Sequence, residues 1–359
     1  MRAVVLVGGQ GTRLRPLTLT APKQMLPVAE VAMIERVLGH LAAHGIDSAT
    51  LSMGYRPDAF LAAFPDDRCA GVSLDYAVEP EPLDTAGAIR FAARHAAVGD
   101  TFLVVNGDVL SDVDLSALVR FHREAGGRGT IALTPMEDPS TFGVVPTDGH
   151  GRVTAFIEKP PRHLAPTNLV NAGFYVLEPD VVDRIPGGRR VNIERETFPA
   201  LAAEGSLFAL ASDSYWTDTG TPGLYLAANL HLAGRDGRPP APGARRTDQG
   251  GWVLGGPVLD ADVGPGSLVG DAAYLGKGAV VSRSVVGAGC RVDGATVEGS
   301  VLLPGAVVRH GAAVAGSIVG PGAVIGEEAE VVGLSVVGEG VEVDAGARLV
   351  GARLPATPG

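Results

Sequence analysis

Residues 3–7 form an unbroken apolar run that ends in two glycines, the pattern of a buried strand feeding a loop. Met33, Ile34, Val37, Leu38 and Leu41 then recur on one helical face, and Gly45 stops that helix. Residues 49–53 and 72–78 predict two further strands. Asp84 is placed to N-cap a helix reaching to about residue 97, and residues 102–105 predict a short buried strand. A third helix covers 115–124. After Gly143, the pair Val144-Val145, the turn Asp148-Gly149 and residues 153–157 predict a hairpin. Strands alternating with helices, with antiparallel additions, predict an α/β domain on a Rossmann-like mixed sheet over residues 1–232.

Residues 233–250, AGRDGRPPAPGARRTDQG, mix proline, glycine and charge without periodicity and predict a linker. From 251 to 359 the chain is repetitive. Ser267-Leu-Val-Gly, Ser284-Val-Val-Gly, Ser317-Ile-Val-Gly and Ser335-Val-Val-Gly are copies of one unit, and Ser300-Val-Leu-Leu-Pro-Gly is a degenerate fifth. Successive serines lie 17, 16, 17 and 18 residues apart. Aliphatic residues recur every six positions, at Val263, Val269, Leu275 and Val281, and again from Val319 through Ile325, Val331, Val337 and Val343 to Leu349. Hexads stacked into coils of this length predict a C-terminal left-handed parallel β-helix. A disordered glycine-rich tail would not hold its aliphatics in phase.

Composition narrows the chemistry. With 359 residues the chain suits two or three domains, and its 50 glycines with 5% aromatics suit a turn-rich architecture. A formal net charge of −11 argues against a nucleic-acid binder and against an anionic membrane surface, so an anionic ligand must be met by a local cluster of cations. Two distant cysteines, Cys69 and Cys290, make neither a zinc site nor a disulfide framework. The opening apolar run is too short for a signal peptide, and no run approaches the roughly 18 residues of a spanning helix. The expectation is a cytoplasmic protein.

The loop GGQGTRLRPLT after the first strand fits neither common phosphate cradle. A Walker A loop needs lysine after its last glycine, and the dinucleotide fingerprint needs a third glycine where Leu14 stands. What remains is Gly8, Gly9, Gln10, Gly11 and Thr12, whose amides can wrap a phosphate, with Arg13 inside the loop and Lys23 ten residues on. A strand-to-helix turn with solvated arginines has the same local pattern.

The longer stretch GGQGTRLRPLTLTAPKQMLPV resembles the signature of the nucleotide-sugar pyrophosphorylases, or sugar-1-phosphate nucleotidylyltransferases. Further family segments follow in order: Glu81-Pro-Leu-Asp-Thr-Ala-Gly-Ala, Asn106-Gly-Asp108, Phe142-Gly143, Glu158-Lys159-Pro160, Asn171-Ala-Gly173, Glu194-Arg-Glu-Thr-Phe-Pro199 and Trp216-Thr-Asp218-Thr-Gly220. The resemblance covers residues 1 to about 230, and a β-helix suits the longer members. It implies attack of a sugar 1-phosphate on the α-phosphorus of a nucleoside triphosphate, with loss of pyrophosphate. The nucleophile is already an anion near neutrality, because a phosphate monoester's second pKa is about 6, so no general base is needed. The resemblance implies that residues 8–12 cradle the triphosphate and that Arg13 and Lys23 neutralise the reacting phosphates. It implies that Asp108 and Asp218 hold Mg²⁺ and that Lys159 holds the sugar phosphate. Gly143, Glu158, Asn171 and Gly173 match positions around the sugar, and Asp84, Thr85 and Gly87 match the nucleotide side.

Two positions depart from pattern. Guanylyl enzymes commonly have glycine where Asp84 stands, leaving it either a helix cap or a reader of guanine's N1–H and N2. The Lys23-Gln24 pair is similar to thymidylyl enzymes. Taken together, the segments are most similar to bacterial mannose-1-phosphate guanylyltransferases, implying GTP and mannose 1-phosphate as partners. A dTTP-dependent glucose-1-phosphate enzyme, a guanylyltransferase for a cyclitol 1-phosphate, and a non-catalytic regulatory paralogue are the alternatives. An acyl-transferring β-helix would need a histidine, and His310, the one histidine beyond residue 250, sits at an expected corner. The β-helix is expected to assemble a homo-oligomer.

Overall fold

The computed structural model describes residues 1–235 and 237–356. Internal contacts divide it into two compact units, Met1–Gly9 with Ile34–Thr217, and Gln10–Met33 with Asp218–Gly359.

The first unit is built on one mixed sheet. Its parallel centre comprises β1 (Arg2–Leu6), β2 (Ser48–Met53), β3 (Val72–Val78) and β4 (Phe102–Asn106), alternating with α1 (Met33–Ala43) and α2 (Asp84–His95). Strand β1 lies between β2 and β4, and β3 lies outside β2. The chain therefore steps to one side of β1 and later crosses to the other. Crevices form at such a switch point, outside the carboxyl ends of the strands. Ala3, Val4 and Val5 are fully buried because both faces of the sheet are covered, which explains their unbroken apolar run. Ala86, Ile89, Ala92 and Ala93 of α2 pack into the same core as Val4, Val104 and Tyr175.

Beyond α3 (Leu115–Ala125) the sheet turns antiparallel. The new strands are β5 (Gly129–Pro135), β6 (Gly143–Val144), β7 (Ile157–Glu158), β8 (Leu169–Leu177) and β9 (Leu207–Ala211). Strand β8 pairs antiparallel with β4 and β5, while β9 adds to β5 in parallel. The expected hairpin is present, but regular pairing is confined to β6 with β7 and a Thr147–Val153 bridge. Between them Asp148 draws the chain into a tight turn by accepting from the amides of His150 and Arg152.

In the second unit α4 (Pro222–Gly234) starts as predicted, with proline first and Thr221 Oγ1 accepting from Leu224 N. Within the 233–250 stretch Arg245–Arg246 pairs antiparallel with Trp252–Val253, so its end already joins the next structure. That structure is a parallel β-helix of three sheets with eight, six and five strands among the described residues. Each coil places one aliphatic per sheet inside, for example Val269, Leu275 and Val281, then Val319, Ile325 and Val331. On the eight-stranded sheet the outward side chains Leu268, Val285, Val301, Ile318 and Val336 are buried as well. Helix α4 packs on this sheet at Val285–Val286 and Val301–Leu302.

The repeated serines now have a reason. The hydroxyls of Ser284, Ser300 and Ser317 each donate within their own coil, to the carbonyls of Ser282, Glu298 and Ala315. Each also accepts from the backbone N–H of the next coil's serine, at 3.1, 3.1 and 3.2 Å. His310 is exposed at a coil corner. No helix among the described residues is long and apolar enough to cross a membrane.

Candidate active site

In the first unit the carboxyl ends of the parallel strands gather the predicted residues. Gly8 and Gly9 follow the end of β1, and the amide of Gly107, just after β4, donates to Leu6 O at 3.0 Å. Asp108 therefore stands half-buried at the switch point. Beneath Gly8 lies Glu79, whose carboxylate accepts from Ser52 Oγ and Leu83 N, both at 3.1 Å. Burial pushes the Glu79 carboxyl above its ordinary value.

Asp84 opens α2 with φ +62°, in the left-handed region where the family's usual glycine is at ease. The N-cap position belongs to Leu83, a correction to the expected cap at Asp84. The Asp84 carboxylate accepts instead from Thr85 N at 2.8 Å and Asn192 Nδ2 at 3.1 Å through one oxygen. Thr85 Oγ1 accepts from Ile193 N and donates to Glu194, and Gly87 N donates to Val191 O. The side chains of Asp84 and Thr85 thus tie the start of α2 to residues 191–194. Glu194 is pushed up chiefly by burial, then by the charges of Glu158 and Asp84.

The predicted sugar residues lie on β6, β7 and β8. Gly143 pairs with Glu158, and Lys159 Nζ lies 3.2 Å from Glu158 Oε1. Strand β8 shifts register between Asn171 and Tyr175. There Asn171 Oδ1 accepts from Gly173 N, and its Nδ2 donates to Tyr175 Oη, both at 2.9 Å. Gly173 has φ +78°, and a Cβ on it would come within 2.7 Å of Asn106 Nδ2, so the position requires glycine. Trp216 Nε1 donates to Ala172 O at 2.8 Å and its ring meets Phe142 edge-on.

In the second unit the signature loop is folded on itself. Gly11 has φ +62°, and a Cβ there would strike Thr18 at 2.9 Å and Lys23 at 3.2 Å. Thr18 Oγ1 donates to Gly11 O at 2.7 Å, and Thr12–Leu14 form one tight helical turn. Gln10, Thr12 and Arg13 are exposed, and Lys23 opens the next turn. Asp218 Oδ1 accepts from Gly220 N at 2.8 Å, and Oδ2 lies 3.8 Å from Arg13 Nη2. With the Arg13 side chain 66% exposed, that ion pair contributes little stability, and the guanidinium is available to a ligand. Gln24 is 1% exposed, so its side chain belongs to the interior.

Among the described residues no three His, Cys, Asp or Glu side chains form a cluster that could hold a metal by themselves. Each unit supplies one of the predicted carboxylates, Asp108 in the first and Asp218 in the second. A small hard cation such as Mg²⁺ takes one or two protein carboxylates and completes its shell with water and substrate phosphate oxygens. Sequence reasoning assigned no role to Glu79, Asn106, Asn192 or Glu194. Asn106 and Glu194 lie inside the quoted family segments, which was their available signal. Glu79 precedes such a segment and Asn192 lies two residues before one.

Comparison with known proteins matches the nucleotidyl transferase family over residues 2–235. The chain belongs to this family. Its members generally use a divalent metal, and this transferase also matches the GMPPB C-terminal domain over residues 260–356. It is 43% identical over 297 residues to a mannose-1-phosphate guanylyltransferase of Mycobacterium tuberculosis, covering 82% of this chain and 79% of that one. It is 34% identical to mannose-1-phosphate guanylyltransferase 1 of Arabidopsis thaliana, covering 96% and 92% of the two chains. Among solved structures, HddC from Yersinia pseudotuberculosis complexed with GMP-PN superposes with a TM-score of 0.55 at 25% identity. That match covers 64% of this transferase and 97% of HddC.

Proposed function

We propose that this enzyme transfers GMP from GTP to mannose 1-phosphate, releasing pyrophosphate and forming GDP-mannose. The observation that carries the proposal is the 43% identity to the mycobacterial guanylyltransferase, together with the complete GGQGTR loop, Lys23, Asp108, Lys159 and Asp218. Retention of all these residues disfavours a regulatory paralogue. Burial of Gln24 removes the signal that favoured dTTP.

In this reading a sugar-phosphate oxygen attacks the α-phosphorus, a new P–O bond forms, and the bond to the bridging oxygen breaks to release pyrophosphate. The attacking oxygen is already anionic, so the protein's work is positioning and charge neutralisation. Residues 8–12 receive the triphosphate, and Arg13 and Lys23 offset charge on the α-phosphoryl group and the departing pyrophosphate. Glu158 orients the sugar hydroxyls, while Lys159, held beside it, takes the sugar's phosphate. Gly143, Asn171 and Gly173 shape the sugar's surroundings. Asp108 and Asp218 would hold Mg²⁺, which when bound supplies positive charge to the phosphate oxygens. The β-helix keeps assembly of a homo-oligomer as its wider role.

The test is pyrophosphate release with Mg²⁺, pairing GTP, dTTP, UTP, ATP and CTP with mannose, glucose, galactose and N-acetylglucosamine 1-phosphates. Highest kcat/KM is expected for GTP with mannose 1-phosphate. Lys23→Ala and Asp108→Asn should each lower kcat by roughly 100-fold or more with little change in Tm. Best turnover with dTTP and glucose 1-phosphate would overturn the base and sugar assignment. GTP use with none of these sugars would point to a cyclitol or other unusual 1-phosphate.

A further inference from the structure

The segment that carries Arg13 and Lys23 is fastened to the β-helix at both ends. At its front, Arg353 in the coil strand Arg353–Leu354 donates from Nη1 to the carbonyl oxygens of Arg13 and Arg15, each at 3.3 Å. Pro16 passes so close to the coil stacked before it that a Cβ on Gly338 would lie 3.2 Å from the proline's Cβ. At its back, the hairpin of Pro27–Val28 with Val31–Ala32 turns through Ala29 and Glu30, both with left-handed φ, at 46° and 68°. Glu30 fits between two coil corners. Its Oε2 accepts from Ala288 N at 2.8 Å, and a Cβ on Gly270 or Gly287 would collide with the carboxylate at 2.5 and 3.1 Å. Asn229 Oδ1 accepts from Ala29 N, and Tyr225 Oη donates to Pro27 O, so α4 holds the hairpin from another side.

We propose that the β-helix is a positioning element of the transfer reaction, with Arg353 fixing the backbone from which Arg13 reaches the phosphates. This rests on the phosphate role given to Arg13 above. The Arg13 side chain is largely exposed, and its paired carboxylate stands at 3.8 Å, too far to aim it. What the structure fixes is the main chain from which that side chain starts. That chain follows Gly11, the residue type most permissive of other conformations, so an external restraint matters there. Arg353 Nη1 supplies two long hydrogen bonds to it, from a coil whose own register is locked by the stacked strands. Arg353 is a positioning residue and touches no reacting atom. Because it is exposed and on the last described coil, its replacement leaves the packed interior intact.

The experiment compares full-length wild type, Arg353→Ala and Arg353→Lys by steady-state kinetics, Tm and hydrogen exchange. Arg353→Ala should lower kcat about tenfold, as expected for loss of a hydrogen bond from a charged group, with KM for both substrates within about twofold. Amides of residues 11–18 should exchange faster while the β-helix interior keeps its protection. Arg353→Lys should restore part of both effects. Wild-type kcat and unchanged exchange in Arg353→Ala would overturn the proposal, as would a loss of activity accompanied by opening of the β-helix. If wild type turned over no substrate pair, the activity proposed above would fall, and exchange in residues 11–18 would still decide for or against Arg353.

Discussion

At the scale of single residues, Asp84 separates conformation from recognition. The sequence leaves it open whether this departure from the family's glycine is a cap or a base reader. The backbone shows a left-handed residue, which glycine adopts freely and aspartate tolerates better than most. Its carboxylate is engaged by Asn192 and Thr85, a pairing across more than one hundred residues that no local pattern reveals. Asp84→Gly is therefore expected to leave the ratio of kcat/KM for GTP over dTTP within about threefold of wild type, since it restores a residue suited to that φ. A shift beyond about tenfold would make Asp84 a reader of the base. Gln24 teaches a similar lesson. The Lys23-Gln24 pair is similar to thymidylyl enzymes, yet only the folded chain shows the Gln24 side chain turned inside.

At the scale of elements, the β-helix was the most legible part of the chain and also shows what spacing leaves out. Hexad periodicity located the inward aliphatics, because a coil with three flat sides must bury one side chain per side. Recurrent serine was visible as a repeat without a cause. Its cause is a ladder in which each buried hydroxyl satisfies a backbone N–H of the following coil. Ser317→Ala would strand the amide of Ser335 and remove a donor to Ala315 O, and is expected to cost about 1–3 kcal/mol. Urea denaturation measures it, and a cost below about 0.5 kcal/mol would show that the ladder is dispensable. The 144–157 hairpin, by contrast, was anticipated in topology but not in extent, because Asp148 competes for the amides that a longer ladder would use.

At the scale of the whole molecule, sequence order and compact units part company. Residues 10–33 group with 218–359, although residues 34–217 lie between them in sequence. The β-helix buries Glu30 and, with α4, closes the outer face of its longest sheet. A chain ended at residue 250 should consequently lose soluble expression or retain less than about a tenth of the full-length kcat, measured on purified protein with the preferred substrates. A soluble, fully active truncation would mean that the signature segment keeps its geometry without the coils. What the sequence by itself determined was mostly local or periodic: the strand that enters a glycine loop, the helical faces, the hexads, and the ordered motifs that identify the chemistry. Such signals survive in one dimension because burial and backbone conformation repeat with the period of the element. Only the tertiary structure decided which distant groups meet: Asn192 with Asp84, Asn106 with Gly173, Glu30 with the Ala288 amide, and Arg353 with the loop of Arg13. Those pairings arise from chain crossings and coil stacking, and leave no trace in spacing along the sequence.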